Sequence, residues 1–427
     1  MKNNWKEVKL GDVCNITRGA SPRPIHDYLS AYGLPWIKIS DATDDSSRFI
    51  NKTKEFIKEE GRSKTRWLQK GAFILSNSAT PGIPKILKID ACVHDGWLIF
   101  NFDNKIIDKW FLYYLCLILR TSLVGLADGT VFRNLKTDIV KNFPISLPPL
   151  EEQKRIAEIL SSFDDKIELL QKQNKTLADM AKAIFKSWFV DFDIVKAKER
   201  REKKSKILNE YKITEEIYNL FPDSFEDSEL GKIPKSWEVK KIKDIGTIVC
   251  GKTPPTIDKS NYGCDIPFIT IPDMHNQLFI LKTERKLSKK GANSQIKKIL
   301  PAFSICISCI ATPGLIVMTS ENSQTNQQIN SVIPNNTKAS FYFYNTLQQI
   351  INKIKSNGSG GSVFNNLNKT QFETIDILVA NNNLQNLFSS EIDSMYKKIL
   401  SNLKQIQTLI ELRDSLLPKL ISGAILY

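Results

Sequence analysis

The sequence is poor in the residues that usually advertise chemistry. Its three histidines, His26, His94 and His275, are scattered and form no cluster at metal-ligand spacing, so structural or surface roles are expected. Its seven cysteines show no disulfide framework, and a chain of 427 residues needs none to hold a core together. Reduced thiols in a cytoplasmic protein are therefore expected. Cys306-Ile-Ser-Cys309 is a lone C-x-x-C in an apolar run with no second pair at zinc spacing, so a buried strand is expected there. The longest apolar run, around Trp110 to Leu119, falls far short of the roughly 20 residues that span a bilayer. Met1 to Val13 has scattered charge and no apolar centre, unlike a signal peptide. No membrane association is expected.

Motifs of nucleotide and transfer chemistry are missing too. There is no G-x-G-x-x-G and no repeated carboxylate–lysine cluster of a nuclease. Neither Pro148-Pro149 nor Pro254-Pro255 has the flanking residues of an amino-methyltransferase site. Gly246-Thr-Ile-Val-Cys-Gly251-Lys252-Thr253 does match the phosphate-loop pattern letter for letter. That loop needs its Lys and Thr to open a helix, and Pro254-Pro255 follow at once, turning the chain away from helical angles. A nucleotide site is rejected on that ground. No catalytic residue, metal ligand or cofactor site is assigned, and the chain is expected to be non-catalytic.

What the sequence does have is basic charge and repetition. Lys and Arg outnumber Asp and Glu by 60 to 46, a net +14 that favours an anionic partner. Shifted by 232 residues, the chain matches itself: Trp5 falls on Trp237, Asp12 on Asp244, Gly19 on Gly251 and Pro35 on Pro267. Ala79-Thr-Pro-Gly82 falls on Ala311-Thr-Pro-Gly314, and Gly129, Val131, Phe132 and Asn134 fall on Gly361, Val363, Phe364 and Asn366. Shared composition would not hold one register over that distance. Each copy opens with about 145 residues of short apolar runs, such as Trp36 to Ile39, Phe73 to Leu75 and Trp97 to Phe100. Turn residues bound these runs, and a helical stretch near Asp108 to Leu119 interrupts them. The expected class is α+β.

Each copy closes with a helix. Pro148-Pro149 ends the preceding strand, and Glu151 and Glu152 suit a first helical turn. Ile156, Leu160, Phe163, Ile167, Leu170, Leu177, Ala181, Ile184 and Trp188 then recur in steps of four and three, with Asn174 breaking the row. The second row is Phe388, Ile392, Met395, Ile399, Ile406, Leu409, Leu416 and Leu420, with Asn402 and Arg413 interrupting. A 3.5-residue period in two helices of one chain predicts that they pair as a coiled coil, roughly 33 residues and about 50 Å long. Between the copies, Lys196 to Lys206 reads as a solvated helix end or linker. Phe221-Pro222 and Gly231-Lys-Ile-Pro234 read as a loop entering the second copy.

Over nearly its whole length the chain resembles the specificity subunit of type I restriction-modification systems. Leu147-Pro-Pro-Leu-Glu-Glu-Gln153, Phe185-Lys-Ser-Trp-Phe-Val-Asp-Phe192, Phe221-Pro-Asp-Ser-Phe225, Leu230-Gly-Lys-Ile-Pro-Lys-Ser-Trp237 and Leu416-Leu-Pro-Lys-Leu-Ile-Ser-Gly423 carry the resemblance in order. One departure is Ala380-Asn-Asn-Asn-Leu-Gln385, where the first copy has its Pro-Pro helix entry. The resemblance implies two target-recognition domains separated by two long helices paired antiparallel, with pseudo-twofold symmetry. Residues 1–148 and 233–380 are the recognition domains, 149–208 and 381–427 the helical regions, and 209–232 a linker. Implied partners are double-stranded DNA, two modification (methyltransferase) subunits that bind S-adenosylmethionine, and restriction subunits that use ATP and Mg. The chain itself would supply only the address, each domain reading half of an asymmetric bipartite site and the helices setting the spacer.

Residue type and turn context nominate Arg18, Thr80, Arg133, Asn134, Lys252, Thr312, Asn365 and Asn366 for DNA contact. The competing reading is that turns shared by both copies only shape the domain. Two further alternatives are a specificity subunit whose partner fuses methyltransferase and nuclease, and a coiled-coil adaptor that binds proteins alone.

Overall fold

The 232-residue offset of the sequence recurs as an offset between elements. The computed structural model describes residues 5–43, 47–126, 134–310, 312–356 and 368–425, with backbone alone for 352–356. The chain forms two compact units, Met1–Leu169 with Ile406–Tyr427, and Leu170–Gln405.

In the first unit, strand Lys6–Lys9 pairs antiparallel with Pro144–Leu147, the last strand before the long helix. A five-stranded sheet runs in the order Cys14–Arg18, Trp97–Phe102, Phe73–Ser76, Pro84–Leu87, Phe49–Ile50. A second sheet of five short strands includes Leu34–Ile37 and Ala91–Val93. Helix Lys109–Gly125 starts where the Asp108 carboxylate accepts from the Trp110 and Phe111 amides, an ordinary N-cap. Its Phe111, Leu112 and Leu115 share one core with Ile16, Phe73, Leu98 and Phe100 of the first sheet.

The second unit repeats this plan. Glu238–Lys241 pairs with Asp376–Val379, and the five-stranded sheet runs Gly246–Cys250, Ile329–Pro334, Ile305–Ser308, Ile316–Thr319, Phe279–Ile280. Helix Ser340–Ser356 follows. The α+β class is the one found. Gly19 and Gly251 show how closely the two copies agree. A Cβ on the first would lie 2.2 Å from the His94 carbonyl oxygen, and on the second 2.1 Å from that of Asn326. Both positions need glycine for one close backbone approach.

The long helices are Leu150–Phe189 and Asn382–Ile421, 40 residues each and longer than the apolar rows alone suggest. The departure at Ala380 to Gln385 is resolved locally. The Asn381 side chain accepts from the Leu384 amide at 2.9 Å and caps the helix where the first copy uses prolines. Gln385 donates to the Ala380 carbonyl, as Gln153 donates to that of Pro148.

Within the first unit, Ile156 and Leu160 share a core with Leu417 and Leu420, and Arg413 donates to Asp164 at 2.5 Å. Within the second, Phe388 packs against Phe185 and Phe189 at ring separations of 5.6 and 5.0 Å, and Asn402 donates to Asn174 at 2.8 Å. Both sets run antiparallel. The polar residues that interrupt the apolar rows therefore lie on the seam: Asn174 and Asn402 meet each other, and Arg413 meets Asp164. Along the second helix Phe388, Ile392, Tyr396, Ile399, Asn402, Ile406, Leu417 and Leu420 are among the buried side chains, with Met395, Leu409 and Leu416 half-buried beside them. On the first, Ile156, Leu160, Ile167 and Leu170 are buried, and Phe163, Leu177 and Ile184 half-buried.

The region between the copies is more ordered than the sequence suggests. Asp193–Glu199, Lys204–Tyr211 and Glu215–Leu220 are short helices, with Ile194, Val195, Ala197, Ile207 and Ile217 buried. Its basic charge is partly spent internally: Arg200 and Lys206 pair with Glu202, and Lys204 with Glu215. The loop expected at Phe221 to Pro234 contains a hairpin, Phe225–Ser228 with Gly231–Pro234. Gly231 turns it at φ +90°, a conformation that costs glycine little.

Candidate nucleic-acid interface

Strand order gathers the loops of each unit at one end of its five-stranded sheet. In the first unit, Arg18 lies opposite Leu98, Trp97 opposite Ser76, and Leu75 opposite Pro84. The connections after Arg18, after Ser76 and before Trp97 therefore leave from the same end. Backbone hydrogen bonds tie them together: Gly19 N to Trp97 O at 2.8 Å, Ala20 N to Val93 O at 3.2 Å, Asn77 N to Gly96 O at 2.8 Å and Leu135 N to Asn77 O at 2.7 Å. The second unit repeats three of these as Gly251 N to Ile329 O, Lys252 N to Thr325 O and Cys309 N to Gln328 O.

The two Ala-Thr-Pro-Gly turns are built alike. Ser76 Oγ donates to Thr80 O and accepts from Ile83 N; Ser308 Oγ donates to Thr312 O and accepts from Leu315 N. Gly82 and Gly314 both sit at φ +82°. Thr80 and Thr312 thus contribute their carbonyls to a shared turn, with the Thr80 side chain half-buried and that of Thr312 exposed.

Side-chain chemistry at this end differs sharply between the units. In the first, Asp95 is the hub. It accepts from Ser21 Oγ at 2.7 Å and pairs with Arg23 at 3.1 Å and His94 Nε2 at 3.2 Å, while its carbonyl accepts from Arg18 Nε at 2.7 Å. Burial alone would raise the Asp95 carboxyl. The Ser21 hydroxyl and the neighbouring His94, Arg18 and Arg23 outweigh it and hold the group below the usual carboxylate range. Burial also holds His94 below the ordinary imidazole value, against the pull of Asp95 and with help from Lys38, Arg18 and Arg23. His94 Nδ1 accepts from the Gly96 amide at 2.9 Å, which suits a neutral ring. Ser21, Pro22, Arg23, Pro24, Ile25, His94 and Asp95 line an open cleft of about 520 Å³.

In the second unit the same places hold amides. Asn326 Oδ1 accepts from the Gln328 amide at 3.1 Å, as His94 does from Gly96. Thr253 Oγ1 donates to Gln327 Oε1 at 2.7 Å, as Ser21 does to Asp95. Cys250 stands where Arg18 does and Pro255 where Arg23 does. Lys252 is exposed beside them.

Of the nominated contacts, Arg18, Thr80 and Asn134 come to one end of the first unit, and Lys252 and Thr312 to the matching end of the second. Arg133, Asn365 and Asn366 lie outside the described residues. Arg23, His94 and Asp95, and Asn326 to Gln328, come to the same ends and were not among the residues nominated from sequence. The signal that would have found them is the reverse of repetition: positions inside a shared frame whose chemistry changes between copies. The phosphate-loop look-alike is strand Gly246–Cys250, and no α-helix opens at Lys252 or Thr253. Cys306 and Cys309 are buried, which pushes their thiols up to about 12 and about 11. Among the described residues no His, Cys, Asp and Glu group could hold a metal ion, and no helix is long and apolar enough to cross a membrane.

The family model for the type I restriction modification DNA specificity domain matches twice, at residues 2–179 and 234–412. The HindI specificity subunit of Haemophilus influenzae, a type I restriction enzyme subunit, is 34% identical over 99% of this chain and all of its own length. The MjaIX specificity subunit of Methanocaldococcus jannaschii is 26% identical over 98% of this chain and 93% of its own. In fold, the chain is similar to the crystal structure of a type I restriction-modification S subunit from M. genitalium. The TM-score is 0.60 at 16% identity, over 98% of this chain and 96% of that one.

Proposed function

The chain belongs to the type I restriction-modification DNA specificity family, and on that premise we propose that it gives such a complex its address. Each unit reads one half of a split, asymmetric duplex site. The observation that carries this reading is one backbone frame built twice, with different side chains at its loop-bearing end. Lys and Arg on phosphates supply salt-dependent affinity, and a few side chains on base edges supply the sequence.

The chain performs no bond-breaking step. Two modification subunits bind S-adenosylmethionine and methylate adenine, and restriction subunits use ATP and Mg to move and cut DNA, all in the cytoplasm. Residues 1–148 and 233–380 are the recognition domains, 149–208 and 381–427 the helical regions that set the spacer, and 209–232 the linker into the second recognition domain. The test is to co-express the full chain with a modification subunit and sequence the methylome. One split, non-palindromic motif is expected; a continuous or palindromic motif, or methylation without sequence preference, overturns the reading.

A further inference from the structure

The two units provide an internal comparison that separates shaping from reading. Residues that do the same job in both copies shape the loop. The Ser21 and Thr253 hydroxyls do so, each donating at 2.7 Å to the side chain at the next loop. His94 and Asn326 do so as well, each accepting the amide two residues on. What those bonds position is different chemistry. In the first unit Ser21 fixes Asp95, which holds one nitrogen of Arg23, while the Asp95 carbonyl holds Nε of Arg18. Both arginines are exposed, and their other guanidinium N–H groups have no partner among the described residues. In the second unit Thr253 fixes the Oε1 end of the exposed Gln327, whose Nε2 likewise has none.

Resting on the reading above, we propose that Arg18 and Arg23, oriented by Asp95, are the base-reading residues of the first unit and Gln327 that of the second. A guanidinium anchored through one nitrogen presents its remaining fork, which matches guanine O6 and N7 in the major groove. An amide anchored through one lone pair of its oxygen keeps a donor and an acceptor for adenine N7 and N6. The half-site of the first unit then contains a guanine read this way, and that of the second an adenine. Asp95 is a positioning residue.

The test uses the full chain in complex with its modification subunit, acting on a randomised duplex library, with the methylated sequences read out. Arg18→Ala with Arg23→Ala is expected to relax a guanine preference about tenfold at one or two positions of one half-site, leaving the other half-site intact. Gln327→Ala is expected to do the same to an adenine of the other half-site. Arg23→Lys keeps the charge and loses the fork, so total methylation is retained while guanine discrimination falls. The proposal is overturned by an unchanged motif, by an equal loss across all sequences, or by both sets of variants acting on the same half-site. A wild-type complex that modifies no split site would instead overturn the reading on which the proposal rests.

Discussion

His94 ties the local electrostatics of the first unit to pH. Its folded value lies below its ordinary 6.5, so the folded chain holds fewer protons than the unfolded chain between those two values. The stabilisation from the neutral ring is complete above 6.5 and is lost as pH falls through that window. Asp95, also depressed, adds a second loss, below its ordinary 3.8. Protonating Nδ1 removes the acceptor used by Gly96. Asn326 makes the same bond with a group that does not titrate. His94→Asn is therefore expected to keep the turn and flatten the dependence of denaturation midpoint on pH below 6.5, measured by chemical unfolding at several pH values. At Gly251 the constraint is steric. An added methyl would meet the Asn326 carbonyl at 2.1 Å, so Gly251→Ala should cost about 2 kcal/mol or more in the same measurement.

The long helices carry two kinds of polar contact on an apolar seam. Asp164 is 5% exposed and accepts from both Tyr114 Oη and Arg413, while neighbouring Asp165 and Glu168 hold Arg48. Burial would lower the Arg413 guanidinium, but Asp164 and Asp414 outweigh it and keep it charged. Asn402, 1% exposed, spends one hydrogen bond on Asn174 and leaves its own oxygen and the Asn174 nitrogen unpaired among the described residues. Such a pair costs stability and rewards one register, because sliding either helix strands a buried amide in apolar surroundings. Replacing both, Asn174→Leu with Asn402→Leu, is expected to raise the thermal midpoint by a few degrees. The singly substituted chains should fall below wild type, because each leaves one amide buried alone.

At the scale of the whole chain, the proposed function makes helix length a quantity that can be tested. Each 40-residue helix is about 60 Å long, and one heptad accounts for roughly 10 Å, about three base pairs of B-form duplex. Removing residues 171–177 and 399–405 together takes one heptad from each helix around the Asn174–Asn402 pair. The methylated motif of that variant is expected to have a spacer about three base pairs shorter with both half-sites unchanged. An unaltered spacer would count against the helices as the spacing element.

The sequence by itself determined the duplication, the α+β frame and the two helices, because backbone periodicity and turn residues act locally and repeat at one offset. It also marked the turns that Arg18 and Lys252 flank and the repeated Ala-Thr-Pro-Gly turns, as turns only. It read Asn174, Asn402 and Arg413 only as interruptions, because a period along one helix says nothing about a partner 228 residues away. It read the stretch after Phe221 as a loop, because Gly and Pro mark hairpin turns and open loops alike. Only the tertiary structure brought Arg18 and Arg23 to His94 and Asp95, and Thr253 to Gln327. Antiparallel pairing of Cys14–Arg18 with Trp97–Phe102, and of Gly246–Cys250 with Ile329–Pro334, puts distant chain segments at one sheet end. Strand order is set by packing of the whole core, and no local pattern in the chain encodes it.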